Sequence, residues 1–350
     1  LMLSFAFPLL IGNLLQQTYN IIDAAIVGQA LGPEALASVG ASSSVQFLVL
    51  GFCIGCCAGF GVPVARYFGA GDHRTMRNYI FNGAVLTAII AAILMIACSL
   101  SCGQILHLLS VPDDIFGNAY VYLIVIFIGI PFTLLYNYLS SILRSVGDSR
   151  TPFLFLGFSA VLNIFLDLFF ILVADWGCAG AAFATIAAQA ISGILCLIVI
   201  IRRMEVLWLS KENRVVRGDS ITELLQMGLP TGLQFSITAI GSVILQTAVN
   251  TLGSVAVASV TAGGKIGTFF CCPFDAMGAT MATYGGQNVG AKKLDRISRG
   301  LRDCVLLGAI YSVIAFVVIY FFSDVIALLF VDASETEILH NTRTFLLENV

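Results

Sequence analysis

The chain has 350 residues, 59% of them apolar and 11% charged, with a mean hydropathy of +0.97 and a formal net charge of −3. A soluble domain carries about twice that charged fraction, so a surface facing water all round is excluded, as is the basic surface that a nucleic-acid partner requires. The ten cysteines lie mostly within apolar runs, as at Cys53, Cys56 and Cys57, and suit small buried thiols rather than a metal or redox motif.

Apolar runs separated by polar breaks predict membrane-spanning helices near residues 2–30, 35–65, 78–102, 117–143, 152–174, 177–201, 221–250, 255–285 and 301–323. A tenth begins near residue 337. The chain opens at Leu1 inside one apolar run and ends at Val350 inside another, which reads as a fragment of a longer protein.

The first predicted span carries Pro8 and Asp23. Proline inside a helix removes a backbone hydrogen bond and allows a kink, so Pro8 is either a static bend or a hinge that responds to the charge at Asp23. The fifth span carries Asn163 and Asp167, four residues apart and so on one helix face. Ionisable groups well inside apolar spans are costly and are functional candidates by default. Asp23 lies nine residues before Gly32, Asp167 eight before Asp175, and Thr185 ten after Asp175. At about 1.5 Å per residue these three sit roughly 12–15 Å below one face of the membrane. Three helices thus offer two carboxyl groups, an amide and a hydroxyl at one level. Two acids in one apolar pocket cannot both stay ionised cheaply, so the pocket suits binding and release of a proton or Na⁺. The eighth span holds Lys265, a cavity candidate, and Asp275, which reads as structural.

Fifteen of the 17 Lys and Arg residues fall in the breaks after the second, fourth, sixth and eighth spans. Basic residues stay on the cytoplasmic side, which predicts an inside amino terminus. Leu31-Gly32-x-x-Ala35-x-Ala37-Ser38-Val39 recurs 221 residues later as Leu252-Gly253-x-x-Ala256-x-Ala258-Ser259-Val260. In the same register Gly69-Ala70 falls on Gly290-Ala291, and with one residue of slippage Pro8 falls on Pro230. Six spans separate the copies, so both have the same orientation. The expected fold is an all-α membrane protein with two six-helix lobes as parallel repeats. The whole protein would have 12 spans, nine of them complete here. The amino-terminal lobe would cover residues 1–203, a cytoplasmic linker 204–220, and an incomplete carboxy-terminal lobe 221–350.

Several local motifs are narrower than this architecture. They are Pro8-Leu-Leu-Ile-Gly-Asn-Leu-Leu-Gln-Gln-Thr-Tyr-Asn-Ile-Ile-Asp23, Gly69-Ala-Gly71, Leu143-Arg-Ser-Val-Gly-Asp148, Asn163-x-x-x-Asp167, Gly177-x-x-Gly180-Ala-Ala-x-Ala-Thr185 and Gly286-Gln-Asn-x-Gly-Ala291. In order and together they resemble the MATE (multidrug and toxic compound extrusion) transporters along the whole chain. The resemblance implies export of organic, cationic or amphipathic compounds across the cytoplasmic membrane in exchange for H⁺ or Na⁺. It marks Asp23, Asn163, Asp167 and Thr185 as matching the cation-binding cluster of the amino-terminal lobe, with Na⁺ at Asp23 and Asp167 as the one metal to consider. Gln17, Tyr19, Asn20, Tyr136, Gln234 and Lys265 are the substrate-cavity candidates. Where some members carry a glutamate in the seventh span, this chain reads Gln234-Phe-Ser-Ile-Thr-Ala-Ile-Gly241 and has no acid. A monomer with no cofactor beyond the coupling ion is expected. A lipid-linked sugar flippase of the same architecture is the alternative, with only Lys265 available to hold pyrophosphate. An intramembrane enzyme fits poorly, because His73, His107 and His340 all fall at loops or helix ends.

Overall fold

The computed structural model describes residues 2–109, 111–328 and 336–349, and among these it is helical throughout, with no strand. Its α-helices are α1 (Met2–Leu31), α2 (Pro33–Gly69), α3 (His73–Leu108), α4 (Asp113–Ile128), α5 (Ile130–Ser145), α6 (Arg150–Leu168), α7 (Gly177–Arg203), α8 (Gly218–Asn250), α9 (Ser254–Gly290), α10 (Leu294–Ala327) and α11 (Thr336–Asn349). Seven of them are long and apolar enough to cross a bilayer, and α4 with α5 makes an eighth if the bent pair is one span. The first expected span, α1, is long enough but is not among them. It carries Asn13, Gln16, Gln17, Asn20 and Asp23, the polar groups that give it a role inside the protein rather than against lipid. By contrast α10 turns Val305, Ile310, Val313, Phe316 and Phe321 outward, as a lipid-facing helix does.

The predicted fourth span is not one rod. It breaks at Gly129 and bends by 47° between α4 and α5. Pro131 cannot donate to the carbonyl of Phe127, so the hydrogen-bond ladder is interrupted there, and the side chain of Ile186 packs where a Cβ on Gly129 would stand. The fifth span also departs from a plain α-helix, because α6 passes into a π-turn over Phe169–Val173.

The repeat is visible atom by atom. Gly32 and Gly253 open α2 and α9 with φ of 88° and 94°. At the other ends, Gly71 and Lys292 take φ of 73° and 57°. The closing bonds match as well: Ala70 N–H to Arg66 O and Asp72 N–H to Tyr67 O in the first copy, Ala291 N–H to Gln287 O and Lys293 N–H to Asn288 O in the second. Ser38 donates to Ile115 O at 3.2 Å, and its counterpart Ser259 donates to Ile338 O at 3.4 Å. The lobes meet through exchanged pairs, α2 on α8 and α1 on α9. The α2–α8 contact is the more intimate. A Cβ on Gly55 would lie 2.7 Å from Gly232 Cα, and one on Gly59 2.6 Å from Gly228 Cα, so the two backbones touch. Near the end of this seam Arg66 pairs with Glu223 at 2.6 Å, and Tyr79 donates to the same carboxylate.

The segment between α7 and α8 is held rather than loose. Arg77 Nε donates to Val206 O at 2.9 Å, Asn78 Nδ2 to Val215 O at 2.8 Å, and Arg217 N–H to Asn82 Oδ1 at 3.1 Å. Buried Asn78 and Asn82 thus satisfy its backbone from α3.

Candidate functional site

Helices α1, α2, α4, α5, α6 and α7 enclose a cavity of about 530 Å³ in the amino-terminal lobe. Its polar lining comes from stripes at helical spacing. On α5 these are Thr133, Tyr136, Asn137, Ser140 and Arg144; on α1, Asn13, Gln16, Tyr19, Asn20 and Asp23. Each stripe faces inward because the rest of its helix is apolar and packs on neighbours or faces outward.

At one end of this space Asp23 lines the wall and the fully buried Asp167 lies beside it, the two carboxyl groups close enough to act on one another. Such proximity needs a proton between them or a cation in its place. Each also has one buried carboxyl oxygen, Oδ1, without a hydrogen-bond partner, the kind of orphaned acceptor that a coordinated ion satisfies. Asn163 of α6 reaches toward α7 with its amide nitrogen toward Asp167 Oδ2 and its oxygen toward the N–H of Thr185, both at 3.2 Å. In that orientation it is the Asn163 oxygen that stands 3.4 Å from Thr185 Oγ1, and Thr185 Oγ1 itself donates to Ala181 O at 3.2 Å. Tyr19, one turn before Asp23, and Tyr122 of α4 flank the carboxyl pair. The side chain of Gln46 lies close to Tyr122 and lines the same cavity.

Aromatic packing behind the pair fixes its position. The π-turn that follows Asp167 sets Phe170 on Trp176, 4.8 Å between ring centroids, and edge-on to Phe183 at 5.1 Å. Gly180 lets α7 close on Phe170, where a Cβ would sit 3.1 Å from the Phe170 side chain. The end of α6 is therefore held against the start of α7, which brings Asn163 and Asp167 onto Thr185. A π-turn beside a site is a recurrent way of re-aiming a helix.

The structure thus brings together Asp23, Asn163, Asp167 and Thr185, four residues taken from three separate predicted spans. Of the cavity candidates, Tyr19, Asn20 and Tyr136 line the same space, and Tyr136 donates to Pro152 O at 3.1 Å. Gln17 does not line it, although it accepts from Asn20 at 3.3 Å. Gln234 and Lys265 are exposed on α8 and α9, outside this cavity; Phe235, the neighbour of Gln234, reaches it instead. Pro8 is buried within an uninterrupted α1. Gln46, Tyr122, Gln189 and Arg144 also line the cavity and are not among the residues that the sequence singles out. Arg144 was assigned to a cytoplasmic break, whereas it belongs to the last turn of α5 and faces the cavity. Among the described residues no three His, Cys, Asp or Glu side chains gather to hold a multivalent metal, whereas two carboxyl groups with an amide and a hydroxyl suit one monovalent cation or a proton.

The family model named MatE matches residues 8–169 and again 230–347, one match to each repeat. The chain is 31% identical to the probable multidrug resistance protein YpnP of Bacillus subtilis (strain 168), over 84% of its own length and 65% of that protein's. It is 27% identical to the probable multidrug resistance protein YoeA of the same strain, over 95% of its own length and 73% of that protein's. Among solved structures it resembles an outward-facing multidrug resistance MATE family transporter of the MOP superfamily with a TM-score of 0.93 and 22% identity, covering 99% of this chain and 77% of the other.

Proposed function

The chain belongs to the MatE family of multidrug efflux transporters, and from that premise we propose that it exports organic, cationic or amphipathic compounds across the cytoplasmic membrane in exchange for H⁺ or Na⁺. The observation that carries the reading is that Asp23, which lines a cavity large enough for a drug-sized ligand, lies beside the buried carboxyl group of Asp167. With a proton between them the pair is compact and carries at most one negative charge. When Na⁺ enters, both carboxylates ionise onto it, and the Asn163 and Thr185 oxygens are at hand to complete an oxygen shell. Either cation lowers the negative charge that a cationic substrate would meet, so cation and substrate compete for the pocket. That competition is the requirement for antiport, since only differential binding moves a conformational equilibrium.

The amino terminus is taken to lie in the cytoplasm, on the distribution of Lys and Arg, and the working unit is taken to be one chain. The flippase alternative gains nothing from the cavity, whose lining includes a single basic side chain, Arg144. The test is efflux of a fluorescent organic cation from vesicles containing the full-length protein, with a proton gradient and a Na⁺ gradient imposed separately. One of the two gradients should drive efflux. If neither does, the coupled-antiport reading is wrong.

A further inference from the structure

Arg144 stands at the opposite end of the cavity from the carboxyl pair. It is in the last turn of α5, level with the start of α6, while Asn163 and Asp167 are near the end of α6. From Pro152, which Tyr136 reaches with its hydroxyl, to Asn163 is eleven residues of helix, or about 16 Å. The cavity is therefore long and bipolar, acidic at one end and basic at the other.

A guanidinium is charged at any working pH. Among the described residues no acidic side chain forms an ion pair with Arg144, and its guanidinium has no hydrogen bond. Two of the polar groups near it are committed elsewhere. The Tyr136 hydroxyl donates to Pro152 O, and Ser145 Oγ donates to Gly61 O and Ser141 O. A purely structural role, closing the carbonyl end of α5, would leave bonds from the guanidinium to that helix, and none is present. While water fills the cavity the charge is solvated. A ligand that fills the cavity displaces that water, and a charge left without a partner is strongly penalised. The ligand must therefore bring its own acceptor to this end.

We propose that Arg144 is an oxyanion subsite of the amino-terminal cavity, and that the cavity takes dipolar molecules with a carboxylate or phosphate on Arg144 and a cationic group toward Asp23 and Asp167. The proposal rests on this cavity being the substrate site, and it narrows the substrate class from cationic to dipolar.

The test uses two probes that differ by one carboxylate, Nα-dansyl-lysine, whose carboxylate and ammonium are separated by the four methylenes of the side chain, and dansylcadaverine, titrated by fluorescence onto the full-length protein in lipid nanodiscs without any gradient. Dansyl-lysine should bind about tenfold more tightly than dansylcadaverine, the scale of a charge-assisted two-pronged contact. Arg144→Gln should remove that preference while still binding dansylcadaverine, somewhat more tightly because a positive charge has left the cavity, which also shows that the variant is folded. Arg144→Lys should keep part of the preference, because it restores the charge without the fork. Ala160→Trp, which fills the cavity wall, should abolish binding of both probes. If Ala160→Trp leaves both bound, the substrate site is elsewhere and the reading beneath this proposal fails with it. If Ala160→Trp abolishes both yet the wild type does not prefer dansyl-lysine, or Arg144→Gln retains the preference, the cavity stands and the role of Arg144 is refuted. Failure of dansyl-lysine to bind the wild type refutes it equally.

Discussion

Asn163 is the side chain on which the candidate site hinges, because it reaches both Asp167 and Thr185 of α7. Replacing it with leucine keeps the volume and removes both contacts. Asn163→Leu should raise the ion concentration needed for half-maximal efflux by about tenfold, as expected for losing a hydrogen bond to a charged group. Thr185→Val, which removes only one oxygen, should raise it by about threefold. Unchanged ion dependence in both variants would remove them from the site. Asp23 and Asp167 were legible in the sequence because a carboxylate within an apolar run has no cheap explanation, and counting residues from the breaks put them at one depth. Arg144 was not. A basic residue close to a helix end reads by default as part of the loop, although Thr133, Tyr136, Asn137, Ser140 and Arg144 already had the spacing of one helix face. Tyr122 left no trace of its position at all, since an aromatic residue in an apolar span has many equally good packing places.

At the scale of elements, the α2–α8 seam decides how the lobes meet. Gly59 touches the backbone of Met227 and Gly228, with no room for a side chain. Gly59→Leu should therefore lower the thermal midpoint of the detergent-solubilised protein by about 5 °C or more, in keeping with an overpacking cost of about 1–3 kcal/mol. Gly264→Ala serves as the control, because a Cβ there meets nothing within 4 Å, and it should be neutral. Equal midpoints for Gly59→Leu and the wild type would mean that the backbones are not in contact. The sequence held the break between α4 and α5 in plain view as Gly129-Ile130-Pro131. Apolar continuity through residues 117–143 hid it, because hydropathy measures length in the bilayer and not direction. The π-turn after Asp167 had no sequence signal, as its register is set by Phe170 packing on Trp176 and Phe183.

For the whole molecule, the 221-residue shift read from the sequence reappears as matching caps, matching positive φ and exchanged lobe contacts. That much was legible because a repeated helix start with an ungapped spacing is hard to obtain by chance. Orientation depends on the membrane and is carried by charge alone. In a Cys-free background, a membrane-impermeant thiol reagent added outside should label a cysteine placed at Asp113 and spare those placed at Lys211 and Lys292. The reverse pattern would invert the topology. Asp332, a second outside position by the same reasoning, lies outside the described residues. The central claim, that the carboxyl pair couples cation entry to export, is tested most directly by gradient-driven efflux from vesicles holding the wild type, Asp23→Asn or Asp167→Asn in the full-length protein. An amide keeps the size and hydrogen bonding of a protonated acid, but it cannot exchange a proton and is a weak ligand for Na⁺. Each amide variant should insert normally and lose efflux under the gradient that drives the wild type, while Asp→Glu at either position retains part of it. Efflux at the wild-type rate in both amide variants would contradict the account and leave Asp23 and Asp167 as structural links between helices.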